Sequence, residues 1–236
     1  MRRVHLIVLM AVLMAAVTAP AAAQDEGDWN FSVDTTFVNQ YLWRGFVLNN
    51  TPSLQPNISL GYKGFSISSW SNFAHTGPAG QNWTEHDMTL DYSHSFDKLG
   101  VNVGYIWYEF PDVPAGDAKR THEVYAGVSY DTLFSPSFTF YRDVDDGDGN
   151  YMYLSGGHSK ELGKGVVLNG GLGLGINNKQ WIDITTVSNF DIKVSVDIPA
   201  GHVVFSPFYQ HSIGHNTLFG DHNIFGVNMT VASFNF

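Results

Sequence analysis

Apolar and polar residues alternate one for one over segments of about ten residues, which restricts the chain to half-exposed β-strands. Leu54, Pro56, Ile58, Leu60 and Tyr62 alternate with Gln55, Asn57, Ser59, Gly61 and Lys63. Met88, Leu90, Tyr92 and Phe96 alternate with Asp87, Thr89, Asp91, Ser93 and Ser95. Phe190, Ile192, Val194, Val196 and Ile198 alternate with Asp191, Lys193, Ser195 and Asp197. Successive side chains of a strand point to opposite faces, so each segment offers one face to hydrocarbon and the other to water. Carried through the chain, the pattern predicts twelve strands: 30–47, 54–63, 65–74, 85–96, 99–110, 121–132, 136–144, 150–160, 165–177, 189–198, 202–213 and 222–236.

The connections sort into two classes that alternate strictly. Lys63-Gly64, Asp97-Lys98, Thr132 to Ser135, Leu162-Gly163-Lys164 and Ala200-Gly201 are tight. Asn49 to Ser53, His75 to Thr84, Pro111 to Arg120, Asp145 to Gly149, Asn178 to Ser188 and Gly214 to Asp221 are longer. Transmembrane barrels have short periplasmic turns and longer extracellular loops, and a soluble sandwich has no reason to sort its loops this way. The expected fold is therefore all-β, an up-and-down antiparallel transmembrane barrel. Composition agrees: 14% of residues are charged, against about 25% in soluble domains, and another 14% are aromatic. Tyr41, Trp43, Tyr105, Trp107, Tyr130, Phe134, Tyr209, Phe234 and Phe236 fall near strand ends and are expected in the aromatic girdles.

Residues 1–23 read as a cleavable signal peptide preceding a barrel domain over 24–236. Arg2 and Arg3 are followed by the apolar run Leu6 to Val17 and by Ala21-Ala22-Ala23. That run is shorter than the roughly 20 residues a spanning helix needs. At the other end, Phe234 and Phe236 form the aromatic pattern expected of an assembly signal for the barrel-assembly machinery. Phe225, Val227, Met229 and Val231 have the opposite parity, which calls for either a bulge or an apolar patch in the lumen.

The formal charge of −10, from 12 basic and 22 acidic residues, argues against nucleic acid as a partner. With no cysteine, neither disulfides nor thiolate metal sites are available. The expected partners are outer-membrane lipid, lipopolysaccharide and small polar solutes. No cofactor is expected.

The segments Tyr41-Leu42-Trp43-Arg44-Gly45, Pro52-Ser53-Leu54-Gln55, Trp70-Ser71-Asn72 and Glu85-His86-Asp87 carry a family resemblance. It continues in Val103-Gly104-Tyr105-Ile106-Trp107-Tyr108, Phe110-Pro111 and Glu123-Val124-Tyr125-Ala126-Gly127. On these residues the chain resembles the TorF family of outer-membrane porins, a resemblance that implies a pore without naming its solute. It covers roughly residues 30 to 130. Phe46-Val47-Leu48 departs from it, since such proteins tend to have a polar run after Arg-Gly.

The candidate pore-lining residues are Asp34, Arg44, Lys63, Asp87, Asp91, Glu123, Asp191, Lys193 and Asp197. Acidic rings favour cations in a pore; a hydrated lining without selectivity is the alternative. Arg44 either guides solutes by its fixed charge or forms a lumenal salt bridge, to Asp34 or Glu123, that stiffens the wall. Asp143 to Asn150 is rich in carboxylates but places Tyr151 where an EF-hand needs glycine, so a solvated turn is expected. His202, His211, His215 and His222 near the last loop are read as solvated rather than metal-binding. A lipid hydrolase would need a serine–histidine contact. His94-Ser95, His158-Ser159 and His211-Ser212 are sequence neighbours and so point to opposite faces. The resulting reading is a narrow porin-like channel for small polar or ionic solutes, with a plugged structural or adhesive barrel as the alternative.

Two outcomes are expected. Intact-mass measurement of the outer-membrane fraction gives a chain beginning at Gln24. Deleting Phe236 lowers the yield of heat-modifiable folded barrel far more than deleting Gly80 does, because the last strand must close the ring.

Overall fold

The computed structural model describes residues 29–235; the expected signal segment 1–23, Gln24 and Phe236 lie outside the described residues. Twelve strands form a closed antiparallel meander: β1 (Trp29–Val38), β4 (Ser53–Tyr62), β5 (Phe65–Ala74), β6 (Trp83–Phe96), β7 (Leu99–Glu109), β8 (Arg120–Tyr130), β9 (Ser137–Asp143), β10 (Asn150–Gly163), β11 (Val166–Asn178), β12 (Thr185–Ala200), β13 (Val203–Gly214) and β14 (His222–Asn235). The remaining two, β2 (Tyr41–Trp43) and β3 (Phe46–Asn49), make a separate two-stranded hairpin between β1 and β4. No helix occurs among the described residues.

Pairing of β1 with both β4 and β14 removes the sheet edges, which hydrocarbon could not solvate. The register shifts between Phe31/Val33 and Phe234/Val231, so the last strand carries a bulge. That bulge reconciles the two parities of β14: Phe225 and Val231 are exposed on the outer wall, while Ile224 and Asn228 are buried inside.

The alternation places Leu54, Ile58, Leu60, Ile67, Leu90, Val103, Leu172, Ile192 and Val194 outside and exposed. Rings band this surface at both ends. Trp29 stacks on Tyr62 and Phe65 packs on Tyr92, each pair 4.6 Å apart, while Phe73 and Trp83 stack at 6.2 Å near the opposite rim. Tyr105, Trp107, Tyr130, Phe134 and Tyr209 are exposed, as their assignment to the girdles requires. Tyr41 and Trp43 are a correction. They belong to the hairpin, where Tyr41 is buried against Trp70 at 5.5 Å and Trp43 meets Tyr108 edge-on at 6.3 Å.

The first predicted strand, 30–47, is likewise corrected. It stops at Val38, and the chain reverses at Arg44-Gly45, where both residues take positive φ (53° and 88°). Two consecutive positive-φ residues between paired Trp43 and Phe46 have the geometry of a type I′ hairpin turn. Such turns favour Asn-Gly, which is why Arg-Gly gives little warning of a reversal.

Small residues on the inner wall accommodate large ones. Tyr153 lies over Gly173 of the neighbouring strand, where a Cβ would fall 1.9 Å from the phenol oxygen. The ring therefore lies flat, and its hydroxyl donates to Asp191 at 2.8 Å. Gly173→Ala forces the ring away from the wall. The expected cost is about 1–3 kcal/mol in denaturant unfolding of the refolded barrel, the range for overpacking. Combined with Tyr153→Ala, the loss should be smaller than the sum of the two single losses.

Candidate functional site: the lumen and its hairpin

The hairpin crosses the lumen. It leaves the wall between β1 and β4, and its tip reaches β9, half the ring away from β1 in either direction. There Arg44 meets Glu123 of β8 in a bidentate pair: Nη1 donates to Oε1 at 2.6 Å and Nη2 to Oε2 at 2.8 Å. Nη1 also donates to Gln180 Oε1 at 2.7 Å. The guanidinium carbon lies 4.2 Å from the ring centroid of Tyr141 (β9), 4.6 Å from that of Tyr151 (β10) and 4.5 Å from that of Trp43. Planarity, a forked donor set and weak hydration suit arginine to this cage of rings and carboxylate.

Other contacts hold the hairpin along its length. Phe46 packs on Phe219 at 4.7 Å, and Gly45 approaches so closely that a Cβ would come within 3.2 Å of the Ser188 carbonyl oxygen. Asn49 Nδ2 donates to the Thr76 carbonyl at 2.8 Å. Behind it, a crevice of about 350 Å³ lies between Val47 to Thr51 and Thr76 to Pro78.

Glu123 is fully buried and its position is set from several sides. Tyr108 Oη donates to Oε2 at 2.7 Å, and Gln180 Nε2 donates to Oε1. Gln180 comes from the β11–β12 loop, so two loops and the neighbouring strand β7 converge on one carboxylate. Around it the inner wall is packed: Asn72, Thr121, Asp143, Asn177, Ser188 and Ser212 are all almost wholly buried. These residues lie toward the ends of their strands that carry the longer loops, so this half of the barrel is filled.

The remaining sequence candidates distribute as follows. Asp34 is buried and accepts from Asn57 Nδ2 at 3.0 Å. Asp91 accepts from Tyr125 Oη at 2.6 Å and Asn102 Nδ2 at 3.2 Å. Asp197 accepts from Asn169 Nδ2 at 2.9 Å, and Asp191 from Asn189 Nδ2 at 2.7 Å. Lys193 Nζ lies 4.8 Å from the Phe208 ring centroid. Asp87 pairs across the sheet with Tyr108 and leaves Oδ1 buried without a hydrogen-bond partner.

Lys63 is a correction: it occupies the exposed turn between β4 and β5 at φ 49°, so it is not on the inner wall. Arg44 also leaves the wall position assigned to it. Of its two possible partners, it takes Glu123 and not Asp34.

Several site residues were missed. Glu85 shares the parity of Asp87 and Asp91 and could have been found that way. Tyr108, Tyr141 and Tyr151 alternate with outward residues, but an aromatic side chain does not declare whether it faces lipid or lumen. Gln180 lies in a loop, where parity has no meaning.

Asp143 shows how the acidic turn is built. Its Oδ1 accepts from Thr121 Oγ1 at 2.7 Å and from the Asp145 and Gly147 amides at 3.0 and 3.1 Å. Among the described residues no group of three or more acidic or histidine side chains is placed to hold a metal ion. On the lipid-facing wall, His211 bonds Asn223, His158 bonds the Leu133 carbonyl, and Ser212 is buried on the inner side. One serine–histidine contact does occur outside, across two strands: Ser71 Oγ to His86 Nδ1 at 2.9 Å. Glu109, the cross-strand neighbour of His86, instead accepts from Trp107 Nε1 at 2.9 Å.

Comparison with solved structures finds the same fold. An outer-membrane channel of Pseudomonas putida F1 superposes with a TM-score of 0.56 at 8% identity, covering 90% of this chain and 97% of that one. The NanC porin gives a TM-score of 0.53 at 10% identity, covering 85% of this chain and 98% of that one. No curated protein sequence matches. A family model described as a bacterial protein of unknown function (Gcw_chp) matches residues 22–232, and the chain belongs to that family.

Proposed function

We propose that this protein is an outer-membrane channel for small polar or ionic solutes, closed in the present conformation by its own first loop. The observation that carries the reading is the hairpin itself, crossing the lumen to an ion pair on the far wall. A structural wall could be stiffened by side chains alone; a folded hairpin with a single charged fastening is a removable obstruction. The fold shared with the P. putida channel and the NanC porin supports the reading, as do the porin-type segments around Trp43-Arg44-Gly45. Cation preference is part of the proposal. Asp34, Glu85, Asp87, Asp91, Glu123, Asp191 and Asp197 face inward against Arg44 and Lys193, and charges in a narrow lumen are screened less than those on an open surface.

The filled outer half of the lumen favours a second reading, a permanently plugged structural barrel. Planar-bilayer recording separates the two. Wild-type protein is expected to open rarely. Arg44→Ala, and a variant with residues 41–49 replaced by a short glycine-serine linker, should raise open probability about tenfold or more, the effect of losing roughly 1.4 kcal/mol of latch. Reversal potentials in a salt gradient should show cation preference, reduced by Asp91→Asn. If the hairpin-less barrel folds and carries no current, the plugged barrel is correct.

A further inference from the structure

We propose that the pocket holding the Arg44 guanidinium is a binding site for guanidinium-bearing solutes, and that Arg44 is its tethered occupant. The inference deepens the channel reading by naming a solute class, and it rests on that reading for its role in transport.

Apart from Trp43, whose ring lies 4.5 Å from the guanidinium carbon and moves with the hairpin, the walls of the pocket belong to the barrel and to another loop. Glu123, Tyr108, Tyr141 and Tyr151 are on barrel strands, and Gln180 is on another loop. Each also touches something other than Arg44, Tyr141 by packing on Tyr125 at 5.5 Å and the others by hydrogen bonds. Tyr108 and Gln180 donate to Glu123, and Tyr151 Oη donates to Asn189 Oδ1 at 3.2 Å. The phenol of Tyr151 lies over Gly175, which leaves room for it against the wall. Withdrawing Arg44 would therefore leave an assembled site, and a preorganised site binds without a further ordering cost.

Its chemistry selects a flat, forked cation. Both oxygens of Glu123 face separate guanidinium nitrogens, at 2.6 and 2.8 Å, and two tyrosine rings lie at 4.2 and 4.6 Å from the central carbon. An alkylammonium is a point charge that uses one carboxylate oxygen at a time and stacks poorly on a ring. Charge points the same way. Glu85 and Asp87 lie on the same inner wall as Glu123, and Asp87 Oδ1 is already without a hydrogen-bond partner. A buried carboxylate stripped of its counter-ion is unfavourable, so the open hairpin is stabilised by whichever cation takes its place.

From the pocket, tyrosines continue along the wall. Tyr141 neighbours Tyr125 at 5.5 Å and Tyr151 neighbours Tyr153 at 6.1 Å, with Asp91 and Asp191 accepting from the outer two. Ring faces paired with carboxylates form a track for an organic cation.

Methylguanidinium and methylammonium are the probes, titrated calorimetrically into refolded barrels without any measurement of current. Methylguanidinium should bind Arg44→Ala at least about tenfold more tightly than wild type, because the tethered competitor is gone. It should also bind that variant at least about tenfold more tightly than methylammonium does, and Glu123→Gln added to Arg44→Ala should abolish binding. Equal affinity for the two cations, or binding indifferent to Glu123→Gln, overturns the proposal. Should Arg44→Ala refold poorly, refolding yield becomes the readout: rescue by methylguanidinium and not methylammonium supports the site, and rescue by neither or both overturns it. Conductance plays no part in these outcomes, so a barrel that binds but never conducts would refute the channel reading alone.

Discussion

Everything in this protein follows from closing a sheet whose outer face meets hydrocarbon. In that medium an unpaired amide or carbonyl costs several kcal/mol, so the last strand must find the first. The ladder from β1 through β14 meets this requirement, and the bulge opposite Ser32 adjusts the final register without opening the seam. Closure then fixes which half of each strand's side chains faces inward. Those inward residues have no lipid to dissolve in and must be satisfied by water, by one another, or by something brought in from a loop.

Twelve strands make that last option important. Eight-stranded barrels fill with their own side chains, and sixteen-stranded ones enclose an aqueous channel. Here the inner wall supplies tyrosines and carboxylates, enough to crowd the lumen but too few cations to balance it. The hairpin brings Arg44 into that crowd. Its cost lies in the tip: a non-glycine residue in the left-handed region is disfavoured by roughly 1–2 kcal/mol, a cost the tight hairpin turn imposes here as it does at Lys63-Gly64 and Lys164-Gly165.

The barrel was legible because its physics is local. Alternation and loop length are each read within one segment, and the strands they predict agree with those observed except the first. The exception is instructive. Tyr41-Leu42-Trp43 and Phe46-Val47-Leu48 have the residues of a wall strand, but their neighbours are other loops and the opposite wall, contacts that no local pattern encodes. The site was legible in part for the same reason. Parity found Glu123, Asp87 and Asp91, whereas the convergence of Arg44, Gln180 and three tyrosines depends on ring closure bringing β7 to β10 across the lumen from β1.

The strength of the Arg44–Glu123 fastening bears on whether a hairpin so held can move. A buried ion pair gains little net free energy, because desolvating both charges offsets most of their attraction, while removing one partner leaves the other stranded. The backbone strain at the turn lowers the net gain further. The hairpin is thus held by specific geometry more than by a large free energy, and its ring contacts with the barrel and its loops are Phe46 on Phe219, Tyr41 on Trp70 and Trp43 on Tyr108. On the proposed channel reading, such an arrangement stays shut while the pocket is satisfied by Arg44 and shifts when another cation satisfies it equally well. A purely apolar plug of the same size would have no such dependence on the solute.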